Sequence, residues 1–117
     1  MNPTKDLQFL IMLEATASRR EIIDTVLAVF PESARRKENS CDLRNNWLEA
    51  WGNEDADQRL AKDDEEGFLY YRWRIEVTPT TNNPSTDEQI TLARLLQQCF
   101  EKSGWVAVVC ADFEDRL

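Results

Sequence analysis

Histidine is absent from the 117 residues. That removes the commonest general base, the Ser-His and Cys-His nucleophile pairs, and most zinc sites. Glycine is scarce: Gly52, Gly67 and Gly104 stand alone, so neither a P-loop nor a dinucleotide fingerprint can be built. The three cysteines, Cys41, Cys99 and Cys110, form no CxxC pair and leave an odd thiol in any disulfide scheme. They read as reduced, with Cys99 and Cys110 as small core hydrophobes. No apolar run approaches the roughly 18 residues a membrane helix needs. The start, "MNPTKDLQ", lacks the apolar segment and cleavage site of a secretory signal, so the expected location is cytoplasmic. Cations are outnumbered, 14 to 22. Nucleic acid is disfavoured, because a polyphosphate needs a basic surface that releases counterions, and "RRK" is the only short cluster.

What is present describes one globular domain. A chain of this length buries roughly two-thirds of its unfolded surface, enough for one core. Hydrophobic content of 42%, with four Trp and five Phe, argues against disorder. Residues 7–15 alternate as a strand, with Leu7, Phe9, Ile11 and Leu13 on one side. Ser18 and Glu21 form a capping box that opens a helix with an Ile22, Ile23, Val26, Leu27 and Phe30 stripe, stopped by Pro31. A second box, Ser85 to Glu88, opens a longer helix that Gly104 ends. "GFLYYRWRIEVTPT" (67–80) alternates as a strand, with Leu69, Tyr71, Trp73, Ile75 and Val77 inward, and "WVAVVCADF" closes the chain as another. Residues 42–52, "DLRNNWLEAWG", fit helix or strand; a strand is preferred because of the order it completes.

That order is strand, helix, strand, strand, helix, strand. It resembles the ferredoxin-like βαββαβ sandwich, an α+β fold with a four-stranded antiparallel sheet and two helices on one face. The resemblance is one of element order, without a family motif. It implies an open sheet face carrying Tyr70, Arg72, Arg74 and Glu76, with Leu10, Met12, Val106, Val108, Cys110, Trp47 and Trp51 as neighbours. Such a patch implies a cover, from the chain itself or a second copy, or else a partner.

The formal charge of −8 is uneven. Residues 53–66 set Glu54, Asp55, Asp57, Asp63, Asp64, Glu65 and Glu66 against Arg59 and Lys62, and the tail adds Asp112, Glu114 and Asp115 against Arg116. "ARRK" (34–37) is expected to neutralise the tail end, which leaves the loop as an unbalanced acidic pole. Its carboxylates lack the alternating spacing and glycine of an EF-hand loop. Asp55 and Asp57 sit in a charged, wet segment where nothing separates their pKa values for acid-base work. Arg19 and Arg20 lack a glycine-rich loop to cradle phosphate. The expectation is therefore a non-enzymatic binding module without cofactor or metal. Its contact residues would be Glu54, Asp55, Asp57, Asp63, Asp64, Glu65, Glu66, Tyr70, Arg72 and Arg74, placed on a basic protein partner. An immunity protein or antitoxin that inhibits a nuclease-type toxin is its most concrete form. The alternatives are a dimeric ligand-binding regulatory domain of ferredoxin-like form and a degenerate small enzyme.

Overall fold

The computed structural model describes residues 7–82 and 84–117, apart from the side chain of Glu114. Residues 1–6, part of the segment read for a secretory signal, lie outside that set, as does the Glu114 side chain counted in the tail. The described residues form two α-helices and one antiparallel sheet of six strands, where four were expected. In chain order these are β1 (Phe9–Glu14), α1 (Arg19–Val29), β2 (Ala34–Lys37), β3 (Ser40–Leu43), β4 (Asn46–Gly52), β5 (Trp73–Pro79), α2 (Thr86–Lys102) and β6 (Val106–Cys110). Across the sheet the order is β2-β3-β4-β5-β1-β6.

Local chemistry sets the helix ends. Ser18 Oγ accepts the Glu21 amide while Glu21 Oε1 accepts the Ser18 amide, and the complete box contributes on the order of 1 kcal/mol to α1. At α2 only half the box is present: Ser85 Oγ accepts the Glu88 amide. Gly104, at φ +87°, turns the chain out of α2 through a conformation that other residues adopt at a cost.

The core lies between the helices and one sheet face. Cross-strand rows place Ala50, Ile75, Ile11 and Val109 on that face, as they do Leu48, Val77 and Phe9, and all are buried against Ile22, Ile23, Val26, Leu92, Leu96 and Phe100. Phe113 closes one end with its ring edge on Phe9, at 5.7 Å between centroids. Asn46 and Gln89 are buried beside this core and exchange two hydrogen bonds of 2.9 Å.

Several sequence expectations are corrected. The segment 42–52 is not one strand: β3 ends at Leu43, Arg44 and Asn45 turn at φ 48° and 62°, and β4 begins at Asn46. Both positive φ values are what a two-residue hairpin turn requires. "ARRK" is a strand, not a counter-charge for the tail. Arg35 pairs with Asp24 of α1, and Arg36 pairs with Asp42 at 3.2 Å and lies over the Trp47 ring at 5.3 Å. The tail is instead held on α2, where Arg116 meets Asp87 at 3.0 Å. Residues 67–70 are a short 3-10 turn, so Leu69 is exposed, and Trp73 at the start of β5 is half-buried instead of deeply buried. Cys110 is half-buried on the open face, whereas Cys41 joins Cys99 in the core.

Candidate functional site

The open face is real, but the chain covers part of it. Register places Trp51, Arg74, Met12 and Val108 in one row, and Glu49, Glu76, Leu10 and Cys110 in the next. The turn Gly67–Tyr70 lies against β1, and Phe68 borders a depression with Val108 and Cys110. Met12, on this face, is 7% exposed. Arg74 spans to Glu76 at 2.7 Å on its own strand. Glu49 faces Glu76 across the ladder, and its carboxyl is pushed above its ordinary range by burial first and by the Glu76 charge second, with Lys37 acting in the opposite sense.

The loop between β4 and β5 is tied down. Asn53 does most of this at the base: its backbone amide donates to the Arg72 carbonyl, and its side-chain amide donates to the carbonyls of Leu69 and Tyr71 at 2.9 and 2.7 Å. The Asp57 amide then donates to the Tyr70 carbonyl at 3.0 Å, extending the β4–β5 ladder past the strands. Two aspartates build the tip. Asp57 Oδ1 accepts the amides of Arg59 and Leu60, and Asp63 Oδ1 accepts those of Glu65 and Glu66, turns that short acidic side chains form with their own backbone. The amides of Glu66 and Glu65 hold the Asp63 carboxyl below its ordinary range. Gly67 is required here by close approach, since a Cβ at this position would sit 2.4 Å from the Ala61 carbonyl oxygen.

This geometry sorts the expected contact residues. Asp57 and Asp63 face their own backbone and serve the loop. Glu54, Asp55, Asp64, Glu65 and Glu66 are exposed, and their carboxylates form no ion pair or hydrogen bond among the described residues. Tyr70 is half-buried in the 3-10 turn, off the strand that carries Arg74. Arg72 lies just before β5, where its amide donates to Glu14 Oε1 at 3.0 Å and its guanidinium approaches Oε2 at 3.9 Å. The expected single row of Tyr70, Arg72 and Arg74 is therefore broken, because β5 starts only at Trp73.

Of the apolar members of this surface, sequence reasoning placed Trp51 on the open face but missed Leu60 and Leu69. Trp51, Leu60 and Leu69, at 41%, 41% and 45% exposure, are large hydrophobic side chains turned to solvent within the same segment as the free carboxylates. Leu60 follows an aspartate turn, a signal that was available in "DQRL"; Leu69 offered none, since it continued the alternation of β5. Among the described residues no three His, Cys, Asp or Glu side chains gather in a metal-binding arrangement, and no helix is long and apolar enough to cross a membrane. No protein-family model, curated protein or solved structure shows a significant match to this chain.

Proposed function

We propose that this protein is a binding module whose β4–β5 loop occupies a basic surface on another protein. One observation carries the reading: five carboxylates unpaired among the described residues lie in the chain segment bounded by exposed Trp51 and Leu69 and containing exposed Leu60, on a loop already held by its own hydrogen bonds. Apolar anchors within a charged rim are the usual anatomy of a protein interface. A pre-ordered loop loses less conformational freedom on binding, and its net negative charge speeds encounter with a cationic partner. The most concrete form is a cytoplasmic inhibitor of a basic effector, an immunity protein or antitoxin whose carboxylates stand in for the substrate phosphates of a nuclease-type toxin. The strand order β6-β1-β5-β4, with a helix after β1 and after β5, supports a ferredoxin-like core to which the β2–β3 hairpin adds two strands at the β4 edge.

The test is association kinetics with a basic partner captured from the host, at two ionic strengths. The triple variant Glu54→Lys, Asp64→Lys, Glu65→Lys should slow association about tenfold or more at low salt and leave the melting temperature nearly unchanged. Equal rates without salt dependence would refute the role of the loop. A second reading, a dimeric regulatory domain, is favoured by the contrast between the sheet edges: β2 is charged and bulged, while β6 is apolar with Val106 exposed. Sedimentation at several concentrations tests it, and a monomer at all of them would remove it.

A further inference from the structure

Within the acidic segment the two cations behave unexpectedly. Arg59 and Lys62 are exposed, and their side chains form no ion pair with any of the seven carboxylates around them. They turn instead to a cleft of about 570 Å³ between the loop and the end of β1, which they line with Arg72, Tyr71, Glu14 and Val106. Three cations face one carboxylate there, and that carboxylate is already engaged, since Glu14 accepts the Arg72 amide. The lining thus carries a net charge of about +2 in a chain of net −8.

We propose that this cleft binds a small organic phosphate, a monoester on an aromatic or apolar body, beyond the protein-binding role assigned to the outer side of the loop. A phosphate monoester is close to a dianion at neutral pH, which matches the charge of the lining. Glu14 accepts the Arg72 backbone amide and lies 3.9 Å from its guanidinium, which fixes the side chain's base at the cleft. Arg59 immediately precedes the short turn Leu60–Lys62 and Lys62 ends it; the Asp57 side chain accepts the amides of Arg59 and Leu60 at its start, and the Asp63 amide donates to the Leu60 carbonyl at its end. The phosphate therefore meets cations carried on a backbone that is already ordered, and such charge-assisted hydrogen bonds are the stronger kind. Tyr71 and the exposed side chain of Val106 offer a wall for the ligand body, and the cleft has the size usual for small-molecule sites. The acidic surroundings repel a polyanion as a whole, so the site suits a small ligand and not a nucleic-acid backbone.

The experiment is a titration of the full chain with phenyl phosphate and with inorganic phosphate at low salt, followed by amide chemical shifts and calorimetry. Saturable binding of phenyl phosphate should move the amides of residues 59–62, 71–72 and 106. The pair Arg59→Gln and Lys62→Gln should weaken it at least tenfold, about the contribution of one charge-assisted hydrogen bond. Val106→Ser should weaken phenyl phosphate several-fold and leave inorganic phosphate unchanged. Arg36→Gln, on β2 and outside the cleft, should change neither. All four positions are exposed, and coincident melting curves establish that the variants fold. No saturable binding of phenyl phosphate at millimolar concentration, equal affinity in the Arg59/Lys62 variant, or inorganic phosphate binding as tightly as phenyl phosphate would each overturn the proposal.

Discussion

Replacing Gln89 with Met should destabilise the protein by about 2 to 4 kcal/mol, because a closed hydrogen-bond set is opened inside the fold. Gln89 Nε2 donates to Asn46 Oδ1 at 2.9 Å and to the Leu7 carbonyl at 3.0 Å, and Gln89 Oε1 accepts from Asn46 Nδ2 at 2.9 Å. The second proton of Asn46 Nδ2 goes to the Arg44 carbonyl, so every donor of both amides is used. Methionine matches the volume of glutamine, which makes the cavity term small. It removes all three Gln89 bonds and leaves Asn46 Oδ1 and one Nδ2 proton buried without partners, at about 1 to 3 kcal/mol each. The added apolar burial offsets roughly 1 kcal/mol. Asn46→Leu should cost a similar amount for the mirrored reason. The double variant has no orphaned amide, so it should cost less than the sum of the singles, with a coupling of about 1 to 3 kcal/mol. Urea unfolding at constant m-value is the assay. Strictly additive singles, or a Gln89→Met cost below about 0.5 kcal/mol, would refute the claim that the two amides hold α2 to the β3–β4 hairpin.

Glu49→Gln should raise stability near neutral pH by about 0.2 to 1 kcal/mol, since it removes a like charge directly across the ladder from Glu76. The Glu49 carboxyl titrates higher in the fold than its ordinary 4.5, so the folded state holds its proton longer and stability falls as pH rises from that ordinary value through the raised one. The gain of the variant should therefore vanish below the ordinary carboxylate range, and a gain that persists there would refute the assignment. Burial pushes the Cys41 thiol up to about 11 and raises that of Cys99, so near pH 8 only Cys110 should label with a thiol reagent until the protein unfolds; early labelling of Cys41 would contradict its place in the core. Gly67→Ala should displace the Ala61 carbonyl and loosen the loop tip at a cost of about 1 to 3 kcal/mol. Limited proteolysis should then cut residues 58–66 faster, and unchanged cleavage would show that the close approach is relieved without loss.

The difference between local and long-range information accounts for what the sequence alone determined. The α1 capping box, the glycine after α2 and the alternation in β1, β5 and β6 are encoded within a few residues, and their chemistry acts wherever the chain goes. The uneven charge of residues 53–66 is equally a property of sequence. The tertiary structure decided the rest. "ARRK" has no apolar side chain beyond Ala34 and so no alternation to reveal a strand; it becomes one because β3 offers an edge and Arg35 reaches Asp24 on α1. The alternation of residues 67–72 continues that of β5, yet those residues leave the sheet. The β4 partner strand ends at Gly52, opposite Trp73, and the Asn53 amide claims the carbonyls of Leu69 and Tyr71. Of seven similar carboxylates, two are engaged by the backbone amides that loop closure brings to them, and five are left to solvent in the segment that also exposes Leu60. No count of charges could separate those two groups, because the separation depends on which backbone amides the folded loop leaves without another acceptor.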